Sequence, residues 1–198
     1  MPNWTSNICE ISGSVDNVKK FLDVITVHNT DTNEVYYDLT KCNPLPKIFQ
    51  TMHSGSRTID DVRYNNWFED EDGVRPLLEV NALQITEEYG CSDPLDWQYR
   101  NWGTKWGDSD TKITSDIVCE DTREITLVYD SPWNEPWMLL NDIALKYDLK
   151  ISNTWDIEMM ENGISRYPID SHEDVYEEFR QNHEDMKMTV KSLYRKEE

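Results

Sequence analysis

The stretch TKITSDIVCEDTREITLVY, residues 111–129, decides how this chain folds. Ile113, Ile117 and Cys119 alternate with polar residues on one arm, as do Ile125, Leu127 and Tyr129 on the other, across the Glu120–Arg123 turn. A period of two broken by a polar turn describes a β-hairpin with one buried face. Downstream, Asn134-Glu135-Pro136 opens a helix whose Trp137, Leu140, Ile143, Ala144 and Tyr147 form one apolar stripe. A further strand follows, with Leu149, Ile151, Trp155, Ile157 and Met159 on one face, and its continuation turns at Asn162-Gly163. Upstream, Trp4 to Ser12 reads as a strand ending at Gly13. Ser14 is then the N-cap of a helix over about 15–28, where Val15, Val18, Leu22 and Ile25 repeat at helical spacing.

The order is strand, helix, a long insertion, strand, strand, helix, strand. Without the insertion it is the βαββαβ arrangement of a ferredoxin-like fold: an α+β domain in which an antiparallel sheet carries helices on one face. The domain spans about 1–170, with the insertion at about 30–110. Inside the insertion, VYYDL (35–39) is strand-like, and Pro44 and Pro46 keep the next segment extended. Residues 53–75 are polar and are expected to form a mobile loop. Residues 76–90 suit a helix ending at Gly90. Ser92 or Asp93 caps a second, shorter helix running to about Gly103, with Asp96 and Arg100 spaced to pair. A C-terminal helix over 171–198 closes the chain. Ser171 and Asp174 have capping-box spacing, and Val175, Phe179, Met186, Val190 and Leu193 mark a thin seam. That seam packs on the domain or meets a partner, which leaves monomer and homodimer open.

Charge says most about partners. Thirty-nine Asp and Glu against nineteen Lys and Arg give a net charge of -20. Residues 51–110 carry -8 of it and residues 111–170 carry -7, so the negative field belongs to the folded body and not to a tail. Such a surface repels phosphate backbones, whose binding depends on cations releasing counterions, and argues against direct contact with nucleic acid. It attracts a basic surface on another protein and steers encounter with it. The eight Trp and ten Tyr separate the chain from acidic disordered sequences. No apolar run is long enough for a membrane span, and no basic and apolar leader precedes the first strand. Cys9, Cys42, Cys91 and Cys119 are scattered without a CxxC pair, which fits reduced structural thiols and a cytoplasmic protein.

Two constellations are candidate binding sites. The first is acidic: Asp60, Asp61, Glu69, Asp70, Glu71 and Asp72 in the insertion, with Glu120, Asp121 and Glu124 at the hairpin turn. The second is aromatic. Trp97, Trp102 and Trp106 lie with Arg100 and Lys105 in one segment, and Trp133 and Trp137 flank the SPWNEPW corner. As a ligand site these residues stack a base or meet an anion; as structure they plug the insertion against the sheet. His28, His53, His172 and His183 are far apart, and no phosphate loop, GxSxG elbow or GxGxxG is present. The residues therefore give no ground for a catalytic site, a metal or a cofactor.

Three segments taken together are more specific than any one: PNWTSN (2–7) leading into ISG (11–13), NWGTKW (101–106), and DSPWNEP (130–136) before a helix. The chain resembles the YubB ferredoxin-like family of plasmid and bacteriophage proteins, over the first strand to about Gly163. In that family the opening reads PNWCxN, so Thr5 stands at the Cys position. The resemblance implies a ferredoxin-like fold and a mobile-element origin, and transfers no catalytic residue. With the charge, it leads to a non-enzymatic accessory protein that binds and inhibits a host protein of defence or nucleic-acid handling, with DNA mimicry as the narrowest form of that expectation. The alternative is a protein that sequesters a small ligand or nucleotide. An enzyme of unrecognised type and an RNA-binding module of similar topology rank below both.

Overall fold

Alternation carries the first strand. Along β1 (Trp4–Ser14), Thr5, Asn7, Cys9 and Ile11 turn inward while Trp4, Ser6, Ile8 and Glu10 stay exposed. The computed structural model describes residues 3–71, 73–158 and 160–169; the expected C-terminal helix lies outside them. The Ser14 hydroxyl accepts from the Asn17 amide at 3.2 Å and starts α1 (Val15–Ile25), which buries Val18, Phe21 and Ile25. This helix ends three residues before the expected His28. Thr26 and Val27, both β-branched, instead continue into β2 (Thr26–His28), which pairs with β3 (Val35–Tyr37).

A 3₁₀ turn at Leu39–Cys42 and the one-turn helix α2 (Lys47–Gln50) lead to β4 (Met52–Ile59), β5 (Val62–Asp70) and β6 (Gly73–Pro76). These three form an antiparallel sheet, where a mobile loop was expected at 53–75. Few of its residues are apolar because few are buried. Met52 pairs with Phe68 on the covered side, and cross-strand polar pairs occupy most of the rest. The helices α3 (Glu79–Tyr89) and α4 (Pro94–Trp102) follow. Gly90 and Gly103 terminate them in the left-handed region, as the spacing predicts, and Asp93 caps α4 by accepting from the Leu95 and Asp96 amides.

The hairpin read from 111–129 is present as β7 (Ser109–Cys119) and β8 (Thr122–Pro132), but only the β8 arm buries the expected face: beyond the register shifts in β7, Ile117 and Cys119 are exposed. The helix α5 (Trp137–Tyr147) and the strands β9 (Lys150–Ile157) and β10 (Asn162–Tyr167) follow. The turn expected at Asn162-Gly163 falls earlier, between Ile157 and Asn162, so those two residues open β10. The main sheet runs β10-β9-β1-β8-β7, each neighbour antiparallel. The protein is thus α+β, built on antiparallel sheets. The helices α1 and α5 cover one sheet face, and Phe21 meets Tyr147 edge to face at 5.8 Å. One apolar core extends from Cys9, Ile125 and Leu140 into the insertion, reaching Phe49, Trp97 and Trp102. On the other face Ile8, Val128 and Ile164 are exposed. Among the described residues no helix is long and apolar enough to cross a membrane.

Candidate functional site

The acidic candidates occupy three separate places. Asp60 and Asp61 form the turn between β4 and β5, with φ of 49° and 62°. A two-residue hairpin turn with both φ positive matches the twist of its strands, and Asp tolerates that backbone. Glu69 lies 3.8 Å from both His53 Nε2 and Arg57, and Asp70 pairs with Arg75 at 2.7 Å. Glu71 is exposed in the following turn, and Asp72 lies outside the described residues. Glu120 and Asp121 make the β7–β8 turn, with Glu120 at φ 51°, and the Asp121 carbonyl accepts from the Val15 amide at 3.1 Å. Glu124 stands on the uncovered sheet face, lining an open groove of about 520 Å³ with Glu10, Lys150 and Arg166. Part of the charge that the sequence offers to a partner is therefore already matched by neighbouring cations.

The aromatic candidates divide. Trp97, Trp102 and Trp137 are buried; Trp97 and Trp102 meet edge to face at 5.6 Å, and Trp102 Nε1 donates to the Asn43 carbonyl at 2.8 Å. Gly103, at φ 80°, lets the chain cross the Trp137 ring, since a Cβ there would stand 2.5 Å from Trp137 Cδ1. Arg100 pairs with Asp96 on the outer face of α4 at 3.0 Å. Trp106 and Trp133 are exposed, and the Lys105 ammonium lies 4.0 Å from the centroid of the Trp106 ring. The open grooves at Val35–Tyr37 with Asp110–Ile113, and at Glu10 with Arg166, contain none of these seven residues.

A buried polar network escaped the sequence reading. Asn7 Nδ2 donates to Ser131 Oγ at 2.9 Å, and Asn153 Nδ2 donates to Asn7 Oδ1 at 3.0 Å and to Glu135 Oε2 at 2.8 Å. Ser165 donates to the other oxygen of Glu135 at 2.5 Å. Desolvation raises the Glu135 carboxyl, against the lowering by Ser165 and Asn153. Asp108 is the second inward carboxylate. It accepts from the Leu39 amide at 3.0 Å and from the Thr111 hydroxyl, and burial pushes it up to about 6. In both groups each carboxylate oxygen already accepts from the chain's own donors. The available signal was phase: Asn7 and Asn153 stand where their strands otherwise place apolar residues.

Among the described residues no three His, Cys, Asp or Glu gather as metal ligands, and Cys9, Cys42, Cys91 and Cys119 are free thiols. No protein-family model, curated protein or solved structure matches the chain, so the resemblance to the YubB family rests on the three quoted segments.

Proposed function

We propose that this chain is a non-catalytic accessory protein of a phage or related element that inhibits a host protein by binding its basic surface. The observation that carries the reading is the net charge of -20 over the chain, with Asp60, Asp61, Glu120, Asp121 and Glu124 all exposed to solvent. Carboxylates exposed on short turns and on the open sheet face steer a basic partner. DNA mimicry is the narrowest form of the proposal, with a nuclease or other nucleic-acid-handling enzyme as target. The finer fold belongs to the same reading: the run β9-β1-β8-β7, with α1 and α5 as its crossovers, supports a ferredoxin-like unit extended by β10. The resemblance to the YubB family supplies the mobile-element context. A small-ligand binder draws less support, because Trp97, Trp102 and Trp137 are committed to the core.

The test is an affinity capture from host lysate, repeated across rising salt, with mass spectrometry of what elutes. The expected result is one stoichiometric partner with a basic surface, released as salt screens the charges. Capture of nothing at any salt overturns the proposal.

A further inference from the structure

We infer that the end of the main sheet bearing Trp4, Trp106 and Trp133 is a docking surface for a cationic segment of a protein partner, whose Arg or Lys side chains lie against the exposed indole rings. This rests on the proposed binding of basic surfaces and names the contact that makes it specific.

Chain pairing brings the three tryptophans to one end. Trp4 begins β1 opposite Pro132, the last residue of β8, and the Trp133 amide donates to the Asn3 carbonyl at 2.8 Å. The Thr104 hydroxyl donates to the Pro132 carbonyl, which pins the loop carrying Trp106 to the same end. Asn3 Nδ2 also reaches Met160 Sδ at 3.4 Å, adding a thioether there. Trp4 is 40% exposed, Trp106 53% and Trp133 45%. Large aromatic area left in water at one place marks an interaction surface more often than a solvated one.

The backbone makes the point more strongly. Trp106 sits at φ 65° and Trp133 at φ 73°, a left-handed conformation that costs an L-residue roughly 1–2 kcal/mol. The rings themselves do not offset that cost, because neither is buried. Local bonds fix both turns: the Trp106 amide donates to Gln98 Oε1 at 3.4 Å, and Ser131 Oγ donates to the Asn134 carbonyl at 2.7 Å. Rings held outward by a rigid loop lose little freedom on binding, which suits an anchor.

Charge selects the occupant. Asp110, Asp130, Asp156, Glu158 and Glu161 belong to strand ends and turns at this end of the sheet. An indole face flanked by carboxylates attracts a cation twice, through the ring quadrupole and through the field. The molecule already uses the contact: Lys105 lies over Trp106, and Arg57 stands 4.2 Å from the Trp67 centroid. Among the described residues no cation stands over Trp4 or Trp133.

The full chain, with its folding checked by circular dichroism, is titrated with an oligo-arginine peptide and with an oligo-glutamate peptide of equal length. Affinity is read by calorimetry and tryptophan emission at low and moderate salt. Saturable binding of the cationic peptide alone is expected, weakened about tenfold in W106A/W133A. W106F/W133F keeps ring area and is expected to lose about threefold, while E87Q/E88Q, two exposed carboxylates on α3, stays near the unmodified protein. Equal weakening by E87Q/E88Q and W106A/W133A would mean diffuse attraction and overturn the inference. So would a dimer of this chain that W133A dissociates, or no binding of the peptide at all. In that last case the wider proposal still stands or falls on the salt-dependent capture.

Discussion

The main sheet and the inserted β4–β6 sheet reach order by different routes. The main sheet presses Cys9, Ile11, Ile125 and Leu127 against α1 and α5, and these side chains are out of water. Each such side chain contributes roughly 1.5–3 kcal/mol by leaving water. The inserted sheet turns only Met52 and Phe68 into the core. Its outer side is held by a surface cluster in which His53 stacks on Trp67 at 4.1 Å, Arg57 covers the same ring, and Glu69 lies between the two bases. The helix α3, next in the chain, buries Ile85 alone and leaves Val80 and Leu83 exposed. One sheet is specified by what it buries, the other by what it pairs.

The widest test of that contrast removes one ring from each region. Phe21→Ala opens a cavity between α1 and the main sheet and is expected to cost about 3–5 kcal/mol, measured by urea unfolding. Phe68→Ala is expected to loosen the inserted sheet first. Hydrogen exchange is expected to speed in β4–β6 while β1 and β8 keep their protection. Equal acceleration in both sheets would show one cooperative unit and erase the distinction.

A smaller effect joins the two regions through Asp108, whose bond to the Leu39 amide ties the start of the insertion to β7. Burial lifts its folded-state pKa to about 6 from an ordinary 3.8, so its contribution to stability is full below the unfolded value and is lost as pH rises through about 6. Asp108→Asn removes that titration. Relative to D108N, the unmodified protein is expected to lose on the order of 1 kcal/mol between pH 4 and pH 7. Thermal melts across that range check it, and a difference between the two proteins that does not vary with pH would remove Asp108 as the cause.

The smallest effect belongs to the surface cluster. Arg57→Ala takes the guanidinium from Trp67 and from Glu69 and is expected to cost about 0.5–1 kcal/mol, less at high salt. Exchange of the β4 and β5 amides should report it before global melting does.

This contrast also explains what was legible. The β8 arm of the 111–129 hairpin, α1 and α5 could be read because burial writes a period into sequence; the β7 arm carries the same alternation without the burial, since Ile117 and Cys119 stay exposed. Residues 53–75 could not, because pairing between strands of half-exposed polar residues leaves almost no period behind. Asp60-Asp61 was the remaining signal, two residues suited to a tight hairpin turn. The acidic candidates were legible as charge but not as a surface: the fold sends them to three places and matches Glu69 and Asp70 with His53, Arg57 and Arg75. The segment Trp97–Trp106 read as one cluster, yet the fold buries Trp97 and Trp102 and leaves Trp106 outside.

Composition alone determined the sign and scale of the charge, and local pattern determined the strands and helices that bury one face. Both follow from residue identity and short spacing. Tertiary structure decided which aromatic rings stay in water, which carboxylates find cations, and that Asn7, Asn153 and Glu135 share one buried network across three parts of the chain. Those outcomes depend on strand order and on crossings such as Gly103 against Trp137, which bring together residues that no window along the chain contains.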